Sequence, residues 1–118
     1  MSVRKEVITR TFSLPAASGS YSGDRLTFGE VKTGQVKESY QGITVNVDTS
    51  VASMTVELWL PKANATVGSM IDDDYKYTGK SIGATGSETW ALAGYPGCQI
   101  RVKSGGTAGS PVISASVF

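Results

Sequence analysis

The run Met54-Thr55-Val56-Glu57-Leu58-Trp59-Leu60 decides the fold. Its apolar members Met54, Val56, Leu58 and Leu60 recur at every second position, the spacing that puts side chains of an extended chain on one face. A helix would scatter them over opposite sides, so the pattern reads as a strand with one face buried. Upstream, Ile43-Thr44-Val45-Asn46-Val47-Asp48 repeats the alternation. Downstream, Cys98-Gln99-Ile100-Arg101-Val102-Lys103 does so again, with Cys98, Ile100 and Val102 on one side and Gln99, Arg101 and Lys103 on the other. Weaker segments rich in β-branched or aromatic residues lie at 4–14, 26–36, 70–78, 88–92 and 111–118. Turn chemistry separates them: Ala17-Ser18-Gly19-Ser20, Pro61-Lys62-Ala63-Asn64, Gly83-Ala84-Thr85-Gly86, Gly94-Tyr95-Pro96-Gly97 and the run Ser104 to Gly109. No window carries apolar residues at helical spacing. The expectation is an all-β fold, an antiparallel two-sheet sandwich of about eight short strands. Strand count favours a jelly-roll-like arrangement over an immunoglobulin-like one, whose paired cysteines flanking a core tryptophan are missing, although many sandwiches do without them.

A chain of 118 residues calls for one domain, expected over 1–118 with an extended N-terminal arm at 1–6. Eleven Lys and Arg against 10 Asp and Glu leave a formal charge of +1, which provides no field for gripping nucleic acid. No run of apolar residues is long enough to span a bilayer. The first residues, Met1-Ser2-Val3-Arg4-Lys5-Glu6-Val7, lack the apolar stretch of a secretory signal, so synthesis and folding in a cytoplasm are expected. Asn64-Ala65-Thr66 fits the glycosylation pattern and, without export, is read as chance.

The chemistry-bearing residues argue against catalysis. The chain has no histidine and a single cysteine, which removes the commonest general base, the commonest metal ligand and any intrachain disulfide. Asp72-Asp73-Asp74 could face a cation, but an EF-hand loop beginning there would need glycine where Tyr77 stands and an acid where Gly83 stands. It reads as a solvated acidic edge or turn. Thr78-Gly79-Lys80-Ser81 contains the end of a phosphate-binding loop, yet Asp74 occupies the opening glycine position; an exposed hairpin turn is expected instead. No Ser-x-x-Lys stands beside a helical segment. Cys98 falls on the apolar side of its strand and reads as a small buried hydrophobe. The chain is therefore expected not to be an enzyme and to use no cofactor or metal.

Trp59 breaks the division of its strand, because it stands in the outward set with Thr55 and Glu57. A large ring on that face implies a subunit contact, a sugar ligand or local coverage by the protein itself. Tyr21, Tyr75, Tyr77, Tyr95 and Trp90 could add to a stacking platform or serve as packing. In the last segment, Ile113, Ala115 and Val117 form one set while Val112 and Phe118 fall in the other, as in a central strand or one that joins a subunit interface.

The run Trp90-Ala91-Leu92-Ala93-Gly94-Tyr95-Pro96-Gly97-Cys98-Gln99-Ile100-Arg101-Val102-Lys103-Ser104-Gly105-Gly106-Thr107-Ala108-Gly109 resembles the C-terminal part of capsid decoration, or cement, proteins encoded with tailed-phage head genes. With Val56-Glu57-Leu58-Trp59-Leu60-Pro61 and the final strand, the resemblance covers about half of the chain. It implies a protein on the outer capsid surface of the virion that binds the major capsid protein, bridges neighbouring subunits and forms a homo-oligomer, dimer or trimer, with no direct contact to nucleic acid or membrane. Arg4 and Lys5 in the arm, Trp59 and Phe118 are the candidate interface residues. The alternative is a carbohydrate-binding or host-adhesion module of a phage fibre or head spike, which two or more outward aromatics on one surface would favour.

Overall fold

The computed structural model describes residues 6–29, 40–62, 74–95 and 97–118. Eight strands follow one another: β1 (Glu6–Thr11), β2 (Leu26–Gly29), β3 (Gly42–Thr49), β4 (Met54–Pro61), β5 (Tyr75–Ile82), β6 (Ser87–Ala91), β7 (Gly97–Ser104) and β8 (Val112–Val117). They form two antiparallel sheets of four strands, in the orders β1-β8-β3-β6 and β2-β7-β4-β5. Within these sheets β4 pairs with β5, β3 with β6, β2 with β7 and β1 with β8. The chain is therefore one long hairpin, nested about the β4–β5 connection and rolled so that successive pairs fall in alternate sheets. This is the jelly-roll arrangement expected from the sequence.

Period-two alternation supplies the core. Ile43 and Val45 of β3 and Ile113, Ala115 and Val117 of β8 face Val56 and Leu58 of β4 and Cys98, Ile100 and Val102 of β7, all of them buried. Phe12, Leu26, Phe28, Trp90 and Leu92 belong to the same buried cluster, Leu26 and Phe28 beside Ile100 and Cys98 and Trp90 beside Ile43. Each fully buried Leu, Ile or Phe side chain contributes about 2 kcal/mol relative to an exposed one.

Two segments differ from the expectation. The strand sought at 70–78 begins at Tyr75 and runs on to Ile82, so Thr78-Gly79-Lys80-Ser81 lies inside β5 and is no hairpin turn. Gly79 takes φ +84°, and the pairing of β4 with β5 shifts between Glu57 and Trp59. Thr78 Oγ1 donates to the Leu58 carbonyl at 2.8 Å and accepts the Lys80 amide at 3.1 Å, so the hydroxyl satisfies groups that the two extra residues on β5 would leave unpaired. The turn between β5 and β6 is instead Ala84-Thr85, within the expected Gly83–Gly86 stretch. The second difference is β2, which ends at Gly29; the remainder of the segment at 26–36, like Asn64-Ala65-Thr66, Asp72 and Asp73, lies outside the described residues.

Candidate functional site

The outer face of the β2-β7-β4-β5 sheet carries a polar and aromatic knot. Because Val56 and Leu58 of β4 and Ile100 and Val102 of β7 point into the core, Glu57, Trp59, Gln99, Arg101 and Lys103 point away from it. Register then sets them side by side: Lys103 opposite Thr55, Arg101 opposite Glu57, and Gln99 opposite Trp59. The last row extends to Thr27 of β2 on one side and Tyr77 of β5 on the other. Tyr21, in the connection between β1 and β2, reaches the same face by bridging to Lys103.

Burial here runs against the usual rule for an outward sheet face. Glu57 is only 1% exposed, Gln99 5% and Arg101 6%. A carboxylate removed from water must be met by donors, and Glu57 is. Its Oε1 accepts from the Tyr21 hydroxyl at 2.7 Å and from the Trp59 indole N–H at 3.0 Å. Its Oε2 lies 3.4 Å from the Lys103 ammonium. Burial pushes the Tyr21 hydroxyl up to about 12, helped by its hydrogen bond to Glu57 and by that carboxylate's charge, so Tyr21 remains a donor. Arg101 Nε donates to Gln99 Oε1 at 2.6 Å, and Gln99 Nε2 donates to Thr27 Oγ1 at 3.1 Å.

The rings complete the knot. Arg101 Cζ lies 3.8 Å from the centroid of Trp59, within cation–π range. Tyr77 leans on Trp59 with centroids 5.7 Å apart and planes at 33°, while Tyr21 meets it at 84° and 5.9 Å. Trp59 therefore stands on the outer face as its position in the alternation implied, half-buried and clamped by Arg101, Tyr77 and Tyr21. Both Glu57 oxygens are engaged, so the carboxylate anchors its donors. Among the described residues no three His, Cys, Asp or Glu side chains come together as a metal site.

The other candidates lie elsewhere. Phe118 is 42% exposed and sits at the end of β8, opposite Gly42 of β3. Arg4 and Lys5 lie outside the described residues. Cys98 is fully buried, and desolvation pushes its thiol up to about 12. The outer face of the other sheet has a different chemistry: Thr9 with Ser114 at 2.8 Å, Thr44 with Thr89 at 2.9 Å, and Asp48 accepting from Asn46 and Ser114. Glu57, Gln99, Arg101 and Lys103 were legible as an outward set, but their union with Tyr21, Trp59 and Tyr77 needed the cross-strand register. The available hint was the opposite charge of two outward positions, 57 and 101, on two strongly alternating strands.

No protein-family model and no curated protein matches the chain. Among solved structures, it is similar to the crystal structure of PirA, at 11% identity and a TM-score of 0.50 over 100% of this chain and 96% of that one. It is also similar to the crystal structure of SPBc2 prophage-derived protein YomS, at 18% identity and a TM-score of 0.49 over 100% and 98% of the two chains. At such identities the likeness is one of fold.

Proposed function

We propose that this chain is a non-catalytic capsid decoration protein that binds the outer surface of an icosahedral phage head and bridges neighbouring major capsid subunits. The outer face of the β2-β7-β4-β5 sheet is its gripping surface. The observation that carries the reading is the clamped, half-buried Trp59 ring amid Arg101, Tyr77 and Tyr21. Trp, Tyr and Arg are the residues that dominate protein–protein binding energy, and an immobilised ring loses little entropy on docking. The resemblance of residues 90–109 to decoration proteins supports the choice of partner. On a shell, many copies bind a repeating lattice, so modest affinity per copy suffices when copies are linked. Each bound copy adds contacts that must break before the shell opens.

A second reading, sugar binding, draws on Tyr21, Trp59 and Tyr77 sharing one face. Against it, Arg101 already lies over the Trp59 ring on which a sugar would stack. Co-sedimentation with heads assembled from the major capsid protein of the same genome separates the two. Decoration requires saturable binding at a fixed number of copies per head, lost in Trp59→Ala. Glycan binding without retention on heads would overturn it.

A further inference from the structure

Thr27 stands on the edge strand β2, three contacts from the Trp59 ring, and each residue between them fixes the next. Thr27 lies opposite Gln99 in the β2–β7 ladder, and Gln99 lies opposite Trp59 in the β7–β4 ladder, so the three share one row across the outer face. Thr27 is exposed, whereas Gln99 and Arg101 are buried.

The direction of each bond in this relay is forced. A guanidinium has donors only, so the Gln99 amide must turn its oxygen to Arg101 Nε, which it meets at 2.6 Å. The amide nitrogen then faces Thr27, whose Oγ1 accepts from it at 3.1 Å. Arg101 in turn sets its Cζ 3.8 Å from the Trp59 centroid. An amide suits the middle place because it accepts at one end and donates at the other, and a residue withdrawn from water needs a protein partner for each end. Without an acceptor at position 27, the buried Nε2 is left unmet, which is costly. Gln99 relieves that cost by rotating its amide toward water, and the rotation withdraws its oxygen from Arg101.

We propose that Thr27 is a positioning residue of the gripping face: acting through Gln99, its hydroxyl holds Arg101 against Trp59 and so fixes the ring in the orientation that docks. The hold on Arg101 is a property of the isolated chain, and its consequence for docking rests on the shell-binding reading. The same chemistry separates disruptive substitutions from tolerated ones. Thr27→Val keeps the shape and β-branching of the side chain at an exposed strand position and removes only the acceptor. Thr27→Ser keeps the acceptor. Added to Thr27→Val, Gln99→Glu supplies a carboxylate that still accepts from Arg101 and has no N–H to satisfy, so the second change should restore what the first removes.

Proton–nitrogen NMR of the arginine Nε–H groups reads Arg101 directly, because the ring current of an indole shifts a group stacked on it; loss of the signal in Arg101→Lys assigns it. Thr27→Val should move that signal toward the position of an unstacked arginine, while Thr27→Ser and the Thr27→Val, Gln99→Glu pair should keep it near the wild-type position. Co-sedimentation with heads should show Thr27→Val bound about fivefold more weakly than wild type or Thr27→Ser. A folded Thr27→Val variant with an unmoved signal, or a Thr27→Ser variant that moves it equally, overturns the positioning. A moved signal with undiminished retention on heads overturns its role in docking. A wild-type chain that heads do not retain removes the shell-binding reading and the docking role with it, and the NMR comparison still decides whether Thr27 holds Arg101.

Discussion

The Arg101 guanidinium carbon lies 3.8 Å from the centre of the Trp59 ring, and the same side chain is tied through Nε to Gln99. Arg101→Lys keeps the charge but loses both the planar stacking and the fixed fork, and should cost about 1 kcal/mol. Arg101→Ala also leaves the buried Gln99 oxygen without this donor and should cost about 2 kcal/mol. Urea denaturation of the two variants checks the order. Trp59→Ala should cost about 2 kcal/mol of stability and abolish retention on heads.

Glu57 is the anchor of the same knot. Glu57→Leu leaves the Tyr21 hydroxyl, the Trp59 indole N–H and Lys103 without their acceptor, with an expected loss of about 3 kcal/mol. Glu57→Gln keeps one acceptor oxygen and should lose less. Thermal unfolding should show the gap between the two variants as a shift of about 4 °C for each kcal/mol in a domain of this size.

Alkaline titration tests the Tyr21 link. In the unfolded chain this hydroxyl ionises near 10, whereas in the folded chain it does so near 12. The folded state holds the proton more tightly across that window, so the contribution of Tyr21 is complete below pH 10 and is lost as pH rises toward 12. Tyr21→Phe should be less stable than wild type at neutral pH and show a shallower decline through this window. Equal slopes for the two proteins would disconnect Tyr21 from the alkaline transition.

How much of this was legible in the sequence depends on distance along the chain. The strands around Ile43, Met54 and Cys98 were readable because alternation is a local property, and Trp59 and Cys98 took the faces that it assigns. Partnership was not readable. Tyr21 precedes Glu57 by 36 residues and belongs to a connection with no periodic signal. Gly79 within Thr78-Gly79-Lys80-Ser81 resembled a turn because glycine with positive φ serves turns and bulges alike; only the pairing of β4 with β5 distinguishes them.

Phe118 and Gly42 form a second testable pair. A Cβ at position 42 would stand 2.5 Å from Phe118 Cζ and 3.0 Å from the Trp90 carbonyl oxygen. Gly42→Ala should therefore destabilise the end of β8. In a Phe118→Ala background the same substitution should cost less, with a coupling of about 1 kcal/mol in a double-mutant cycle. At Gly97 the obstacle is backbone, the Phe28 carbonyl oxygen at 2.6 Å, so Gly97→Ala should cost about 2 kcal/mol with no comparable side-chain rescue.

Cys98 should ignore thiol reagents in the native protein, since its thiol is fully buried and raised to about 12. Labelling should appear only as denaturant unfolds the core, so its rate follows the population of open molecules. Rapid modification at neutral pH without denaturant would contradict the packing of β7.

The nesting of β1 with β8 around all the other strands governs how the molecule can form. The Thr9–Ser114 contact joins residues 105 positions apart, while β4 and β5 adjoin through a single connection. Loop-closure entropy thus favours zipping outward from the innermost hairpin, and so many distant pairings place folding on about the millisecond-to-second scale. The outermost seam shuts last and frays first, which makes β1, held on one side only, the natural starting point for unfolding.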